Sequence, residues 1–123
     1  MKNILIIDDT VTMAKMISLY LTENGFNTII AHDGKSGVEK YALHAPDLVL
    51  LDIEMPEMNG FETLKEIKNV TTSSPSPVIM LTSRNTKNAI FQAIKEGAAD
   101  YIVKPVNTET LIAKVNKNLK KAV

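Results

Sequence analysis

Leu48-Val49-Leu50-Leu51-Asp52 is the stretch that decides the fold: four consecutive apolar residues, too few for a helix, that close on a carboxylate. An unbroken apolar run of this length reads as a strand buried on both faces, which is the position of a central strand in a parallel sheet. Working outward, three more runs have the same character: Ile4-Leu5-Ile6-Ile7 before it, and Val78-Ile79-Met80-Leu81 and Tyr101-Ile102-Val103 after it. A weaker run, Thr28-Ile29-Ile30-Ala31, predicts a fifth strand nearer an edge.

Between the runs, apolar residues recur at helical spacing. Met13, Met16, Ile17, Tyr20 and Leu21 predict a first helix that ends at Asn24-Gly25. Val38, Tyr41 and Ala42 mark a second, which stops before Pro46. Phe61, Leu64 and Ile67 mark a third, and Ile90, Ala93 and Ile94 a fourth that ends at Gly97. Leu111, Ile112, Val115 and Leu119 mark the last, behind the candidate caps Asn107 and Thr108. Strand and helix alternate five times, and parallel strands need crossovers of about this length, so the pattern predicts a doubly wound α/β fold. Thr71 to Pro77, rich in Thr, Ser and Pro, falls where a helix-to-strand loop is due, and residues 1–123 read as one domain.

Composition narrows the function. Fourteen basic and fourteen acidic residues give a formal net charge of zero, so no overall field points to nucleic acid or a membrane surface. The absence of cysteine removes disulfides, thiolate metal sites and a Cys nucleophile, and suits a reducing compartment. The apolar start is too short for a signal peptide or a membrane span, and the expected location is the cytoplasm.

In an open parallel sheet, ligands bind outside the carboxyl ends of the strands. The residues there are Asp8-Asp9, Asp52, Thr82 and Lys104-Pro105. Three carboxylates brought together repel one another unless they share a cation. Mg²⁺ suits one or two carboxylates together with phosphate oxygens, whereas nothing here resembles a calcium-binding EF-hand loop. An aspartate beside Mg²⁺, a hydroxyl and an ammonium is equipped to attack a phosphoryl donor.

Taken together, Asp8-Asp9, the segment from Asp52 to Gly60 (Asp-Ile-Glu-Met-Pro-Glu-Met-Asn-Gly), Thr82-Ser83, and Asp100 to Pro105 closely resemble the receiver domain of two-component response regulators over essentially the whole chain. The resemblance implies a flavodoxin-like strand order 2-1-3-4-5 with five helices. It implies that Asp52 is the phosphoacceptor, served by a sensor histidine kinase, a phosphotransfer protein or small phosphodonors. It further implies that Asp9, Asp52 and the main-chain carbonyl of Glu54 hold Mg²⁺, with Asp8 acting through water. Lys104 would bind a phosphoryl oxygen next to a cis bond to Pro105, and Thr82 and Tyr101 would form a switch pair. Phosphorylation would then reshape the face built from the fourth helix, fifth strand and fifth helix, which a downstream effector protein reads. Glu54 and Arg84 occupy variable positions of the family; as a charged pair they would shield the phosphoryl group from water and prolong its life.

Other readings fail on particular residues. Gly34-Lys35-Ser36 looks like the end of a P-loop, but the required glycine five positions earlier is Ile29. A flavin-binding phosphate loop is disfavoured at Thr10 to Lys15, and His32 and His44 read as surface residues without ligand-spaced companions. A small Mg²⁺-dependent phosphatase would need a lid or substrate pocket for which the chain shows no segment, so the chain is read as a signalling protein that catalyses only its own phosphorylation and dephosphorylation. A degenerate receiver would not keep the whole acidic pair, acceptor, threonine and lysine. No output domain follows the fifth helix, which fits a free-standing regulator, a phosphorelay intermediate or a receiver excised from a longer protein.

Overall fold

The computed structural model describes residues 1–83 and 87–121. Five strands and five helices alternate: β1 (Asn3–Ile7), α1 (Val11–Glu23), β2 (Asn27–Ala31), α2 (Gly34–His44), β3 (Leu48–Asp52), α3 (Gly60–Asn69), β4 (Val78–Thr82), α4 (Lys87–Lys95), β5 (Asp100–Val103) and α5 (Thr108–Lys121). All strands are parallel, in the order β2-β1-β3-β4-β5. The doubly wound architecture and its strand order are those expected from the sequence.

The apolar runs are continuous because each strand feeds two cores. Successive side chains leave a strand on opposite faces. Ile4, Ile6, Leu48, Leu50, Ile79 and Leu81 accordingly pack with Ala14, Ile17 and Leu21 of α1 and Leu111 and Val115 of α5. Their neighbours Leu5, Ile7, Val49, Leu51, Val78 and Met80 pack on the other face with Tyr41 of α2, Leu64 and Ile67 of α3 and Ala93 of α4. Burial of one such side chain is worth roughly 1.5–3 kcal/mol, so the two layers supply the main drive to fold.

The helices begin and end where local chemistry dictates. Asp33 Oδ1 accepts the Ser36 amide at 2.7 Å, so Gly34-Lys35-Ser36 opens an ordinary capped helix. Asn59 and Glu62 form a reciprocal capping box at α3. Asn107 Oδ1 accepts the Thr110 amide at 2.8 Å and caps α5. Gly25, at φ 89°, supplies the left-handed residue that ends α1.

Two details differ from the sequence expectation. β5 lies at the sheet edge that the order implies, but Tyr101 and Val103 are only half-buried, whereas the apolar run reads as buried on both faces. Ile94, counted toward the apolar face of the fourth helix, is 49% exposed, as is Phe91 at 69%; α4 buries only Ala93.

Candidate functional site

The order β2-β1-β3 reverses the direction of winding at β1, and the carboxyl ends of β1 and β3 flank the crevice this creates. Ile7 pairs with Leu51, so the residues that follow, Asp8 and Asp52, come side by side despite their distance in the chain. On the other side of β3, Asp52 pairs with Leu81, which puts Thr82 next to the site. Thr82 in turn pairs with Val103, and Lys104 follows.

Asp8, Asp9 and Asp52 each present a carboxylate oxygen, and the three oxygens lie within 4.8 Å of one another. Asp8 and Asp52 are buried, at 0% and 1% exposure. Lys104 reaches into this cluster, with Nζ 3.1 Å from Asp52 Oδ1 and 3.9 Å from Asp8 Oδ2. The bond from Lys104 to Pro105 is cis. The Thr10 amide donates to Asp8 Oδ1 at 2.9 Å, while Asp8 Oδ2, though buried, has no hydrogen-bond partner among the described residues.

Among the described residues, one ammonium stands against three carboxylates, and Asp52 registers the negative charge around it. Its carboxyl is pushed up to about 7, first by burial and then by the charge of Asp8, against the opposing pull of Lys104 and the Glu54 amide. A buried acceptor oxygen without a donor, beside crowded carboxylates, fits a hard divalent cation with oxygen ligands. Asp8, Asp9 and Asp52 are the side chains positioned to hold one.

Glu54 lies at the rim. Its Oε1 accepts the Thr82 hydroxyl at 3.0 Å, the Ser83 amide at 3.3 Å and the Ser83 hydroxyl at 3.2 Å. Burial acts to raise this carboxyl, but those hydrogen bonds outweigh it and hold the group below the usual glutamate range. Arg84 lies outside the described residues. Tyr101 stands on β5 opposite Met80, with Lys114 Nζ of α5 4.4 Å from its ring centroid.

Several contributors escaped the sequence. His32, read only as a surface residue, is exposed but places Nδ1 3.1 Å from the Asp8 carbonyl oxygen, because β2 ends beside β1. Ser83 donates to Glu54 through both its amide and its hydroxyl, a role no spacing announces. Gly60 holds the acceptor strand's end by close approach: a Cβ there would stand 2.5 Å from the Asp52 carbonyl oxygen and 2.6 Å from Ile53 Cα. Both are backbone atoms and cannot swing aside. Gly60→Ala is therefore expected to cost roughly 2–3 kcal/mol in urea denaturation; an unchanged midpoint would contradict the close approach.

Among the described residues no helix is long and apolar enough to cross a membrane. The profile of the response regulator receiver domain matches residues 4–116. The chain is 42% identical over 117 residues to chemotaxis protein CheY of Bacillus subtilis, covering 94% of this chain and 96% of that protein. It is 36% identical over 121 residues to response regulator ArlR of Staphylococcus epidermidis, covering 98% of this chain but only 54%, about half, of that longer protein. Among solved structures, a two-component response regulator from Clostridium difficile superimposes with a TM-score of 0.90 at 31% identity, covering 98% of both chains. The sheet order, the acidic crevice and these similarities converge: the chain belongs to the response regulator receiver family, whose members act in phosphorylation-dependent signalling.

Proposed function

We propose that this chain is a Mg²⁺-dependent switch whose phosphoryl acceptor is Asp52. The observation that carries the reading is the gathering of the Asp8, Asp9 and Asp52 oxygens within 4.8 Å, with Lys104 Nζ 3.1 Å from Asp52. Asp8, Asp9, Asp52 and the main-chain carbonyl of Glu54 would hold the ion. When bound, Mg²⁺ supplies positive charge that offsets the carboxylates and the charge developing on the transferred phosphoryl group.

The protein's own groups do the rest. An Asp52 carboxylate oxygen attacks phosphorus, and the bond from phosphorus to the donor breaks. The donor is the nitrogen of a kinase's or phosphotransfer protein's phosphohistidine, or the oxygen of a small acyl phosphate; it departs with the bonding electron pair, and the product is an aspartyl phosphate. Lys104 pulls Asp52 toward the anionic form that attacks, against burial and Asp8, and then holds a phosphoryl oxygen. The Thr82 hydroxyl, which donates to Glu54 Oε1 at rest, turns to donate to another.

Phosphorylation adds roughly −1.5 to −2 units of charge and new acceptor oxygens. Drawing Thr82 inward moves the end of β4, and Tyr101 on the adjacent strand follows. The α4, β5 and α5 face would change shape, and an effector protein preferring the changed shape would bind more tightly. Exposed Phe91 and Ile94 on α4 support a protein-facing role for that surface.

Incubation with acetyl phosphate and Mg²⁺ is expected to add one phosphoryl group, read by intact mass, and EDTA is expected to prevent it. No mass increase under saturating donor and metal would refute the acceptor reading.

A further inference from the structure

Glu54 follows Asp52 by two residues, and its carboxylate reaches across to the end of β4 instead of extending into solvent. There, among the described residues, Oε1 accepts the Thr82 hydroxyl, the Ser83 amide and the Ser83 hydroxyl, all between 3.0 and 3.3 Å. A carboxylate and a phosphoryl group are both anionic oxygen acceptors that take charge-assisted hydrogen bonds. Glu54 thus sits on donors that a phosphoryl group on Asp52 would use.

We propose that Glu54 is an intramolecular competitor for the phosphoryl group, occupying the Thr82 and Ser83 donors at rest and displaced from them when Asp52 is phosphorylated. The proposal rests on the reading of Asp52 as acceptor. Its physical basis is stoichiometric: a threonine hydroxyl has one proton to donate, so Thr82 cannot serve both anions in the same bond. Electrostatics acts in the same direction, because a phosphoryl group arriving beside Glu54 repels a carboxylate already there. Phosphorylation then exchanges one anion for another at the β4 end. The gain in hydrogen bonding is smaller than capture of idle donors would give, and a charged side chain is released at the rim of the site.

The test is an equilibrium titration of the full chain with beryllium trifluoride, a non-transferable phosphoryl analogue, at saturating Mg²⁺. The Ser83 amide resonance is the readout. Glu54→Ala is expected to bind the analogue about tenfold more tightly than the wild type, the scale of one charge-assisted hydrogen bond, and Glu54→Gln to fall between. Removing a nearby negative charge would by itself help any anion, so the decisive arm is the double-mutant cycle with Thr82→Val. Competition through the hydroxyl predicts that the gain from Glu54→Ala shrinks to about threefold or less in that background.

An undiminished gain in the Thr82→Val background would mean that Glu54 does not compete through the Thr82 hydroxyl, the bond on which the stoichiometric argument rests, and would overturn the proposal. So would unchanged or weaker binding in both Glu54 variants. Asp52→Asn separates the two levels of inference: if it still binds the analogue at the site, the acceptor reading falls and the competitor with it. If Asp52 is required but Glu54 is without effect, only the competitor falls.

Discussion

Asp52→Asn is expected to abolish phosphoryl incorporation from acetyl phosphate and, in the absence of Mg²⁺, to make the protein more stable at pH 8. Loss of incorporation follows from chemistry, because an amide is a poor nucleophile and gives no stable acyl phosphate. The stability gain follows from the elevation of the Asp52 carboxyl to about 7 by burial and Asp8, which shows that its surroundings favour the neutral form even with Lys104 at 3.1 Å. Between the ordinary value of 3.8 and about 7, the folded protein keeps a proton that the unfolded chain releases. Stability of the metal-free wild type therefore falls as pH rises through that window. Asparagine is neutral throughout. The variant's advantage should open above the ordinary value of 3.8, grow through that window and reach a margin on the order of 2–4 kcal/mol at pH 8, measured by urea denaturation in EDTA. A variant less stable than the wild type at pH 8 would mean that the Lys104 pairing outweighs burial and repulsion.

Mg²⁺ is expected to reverse that pH trend. Binding to the folded state alone stabilises by about 2.7 kcal/mol when the ion is at a hundred times its dissociation constant. A proton on Asp52 competes with the ion, so the stabilisation should be larger at pH 8 than at pH 6. Asp9→Asn removes the partly exposed member of the three-carboxylate cluster and should eliminate most of the gain. Thermal melts of both proteins across a Mg²⁺ titration check this. Equal shifts in the two proteins would place the ion elsewhere.

The sheet was readable because its evidence is redundant. Ile4 to Ile7, Leu48 to Leu51 and Val78 to Leu81 must satisfy two cores at once, so every position is apolar and the run is unmistakable. β5 was read less well because an edge strand has only one neighbour, and Tyr101 and Val103 look the same in sequence whether buried or half-exposed. The acidic positions were legible as strand endings, and their proximity follows from the register of β1 against β3. What stayed hidden were contacts made across elements by residues of ordinary type. The bond from His32 to a main-chain carbonyl depends on where β2 ends, not on a motif. Ser83 differs from any exposed serine only by the presence of Glu54 across the crevice.

The same holds for a group at the far end of β5. Asp100 takes hydrogen bonds from the Tyr101 amide at 2.8 Å, Lys114 Nζ at 3.0 Å and Asn118 Nδ2 at 3.1 Å, and Lys114 also donates to the Tyr101 carbonyl oxygen. Burial works to raise the Asp100 carboxyl, yet those donors outweigh it and hold the group below the ordinary aspartate value. Removing one member would strand the others in a poorly hydrated place, so strand and helix separate only at considerable cost. The mechanical consequence is a lever with one fixed end. β5 is fastened to α5 where it enters the sheet and meets the acidic crevice where it leaves. A displacement imposed at Lys104 would therefore meet its resistance at the Asp100, Lys114 and Asn118 joint, so that pulling on the strand would load the helix as well.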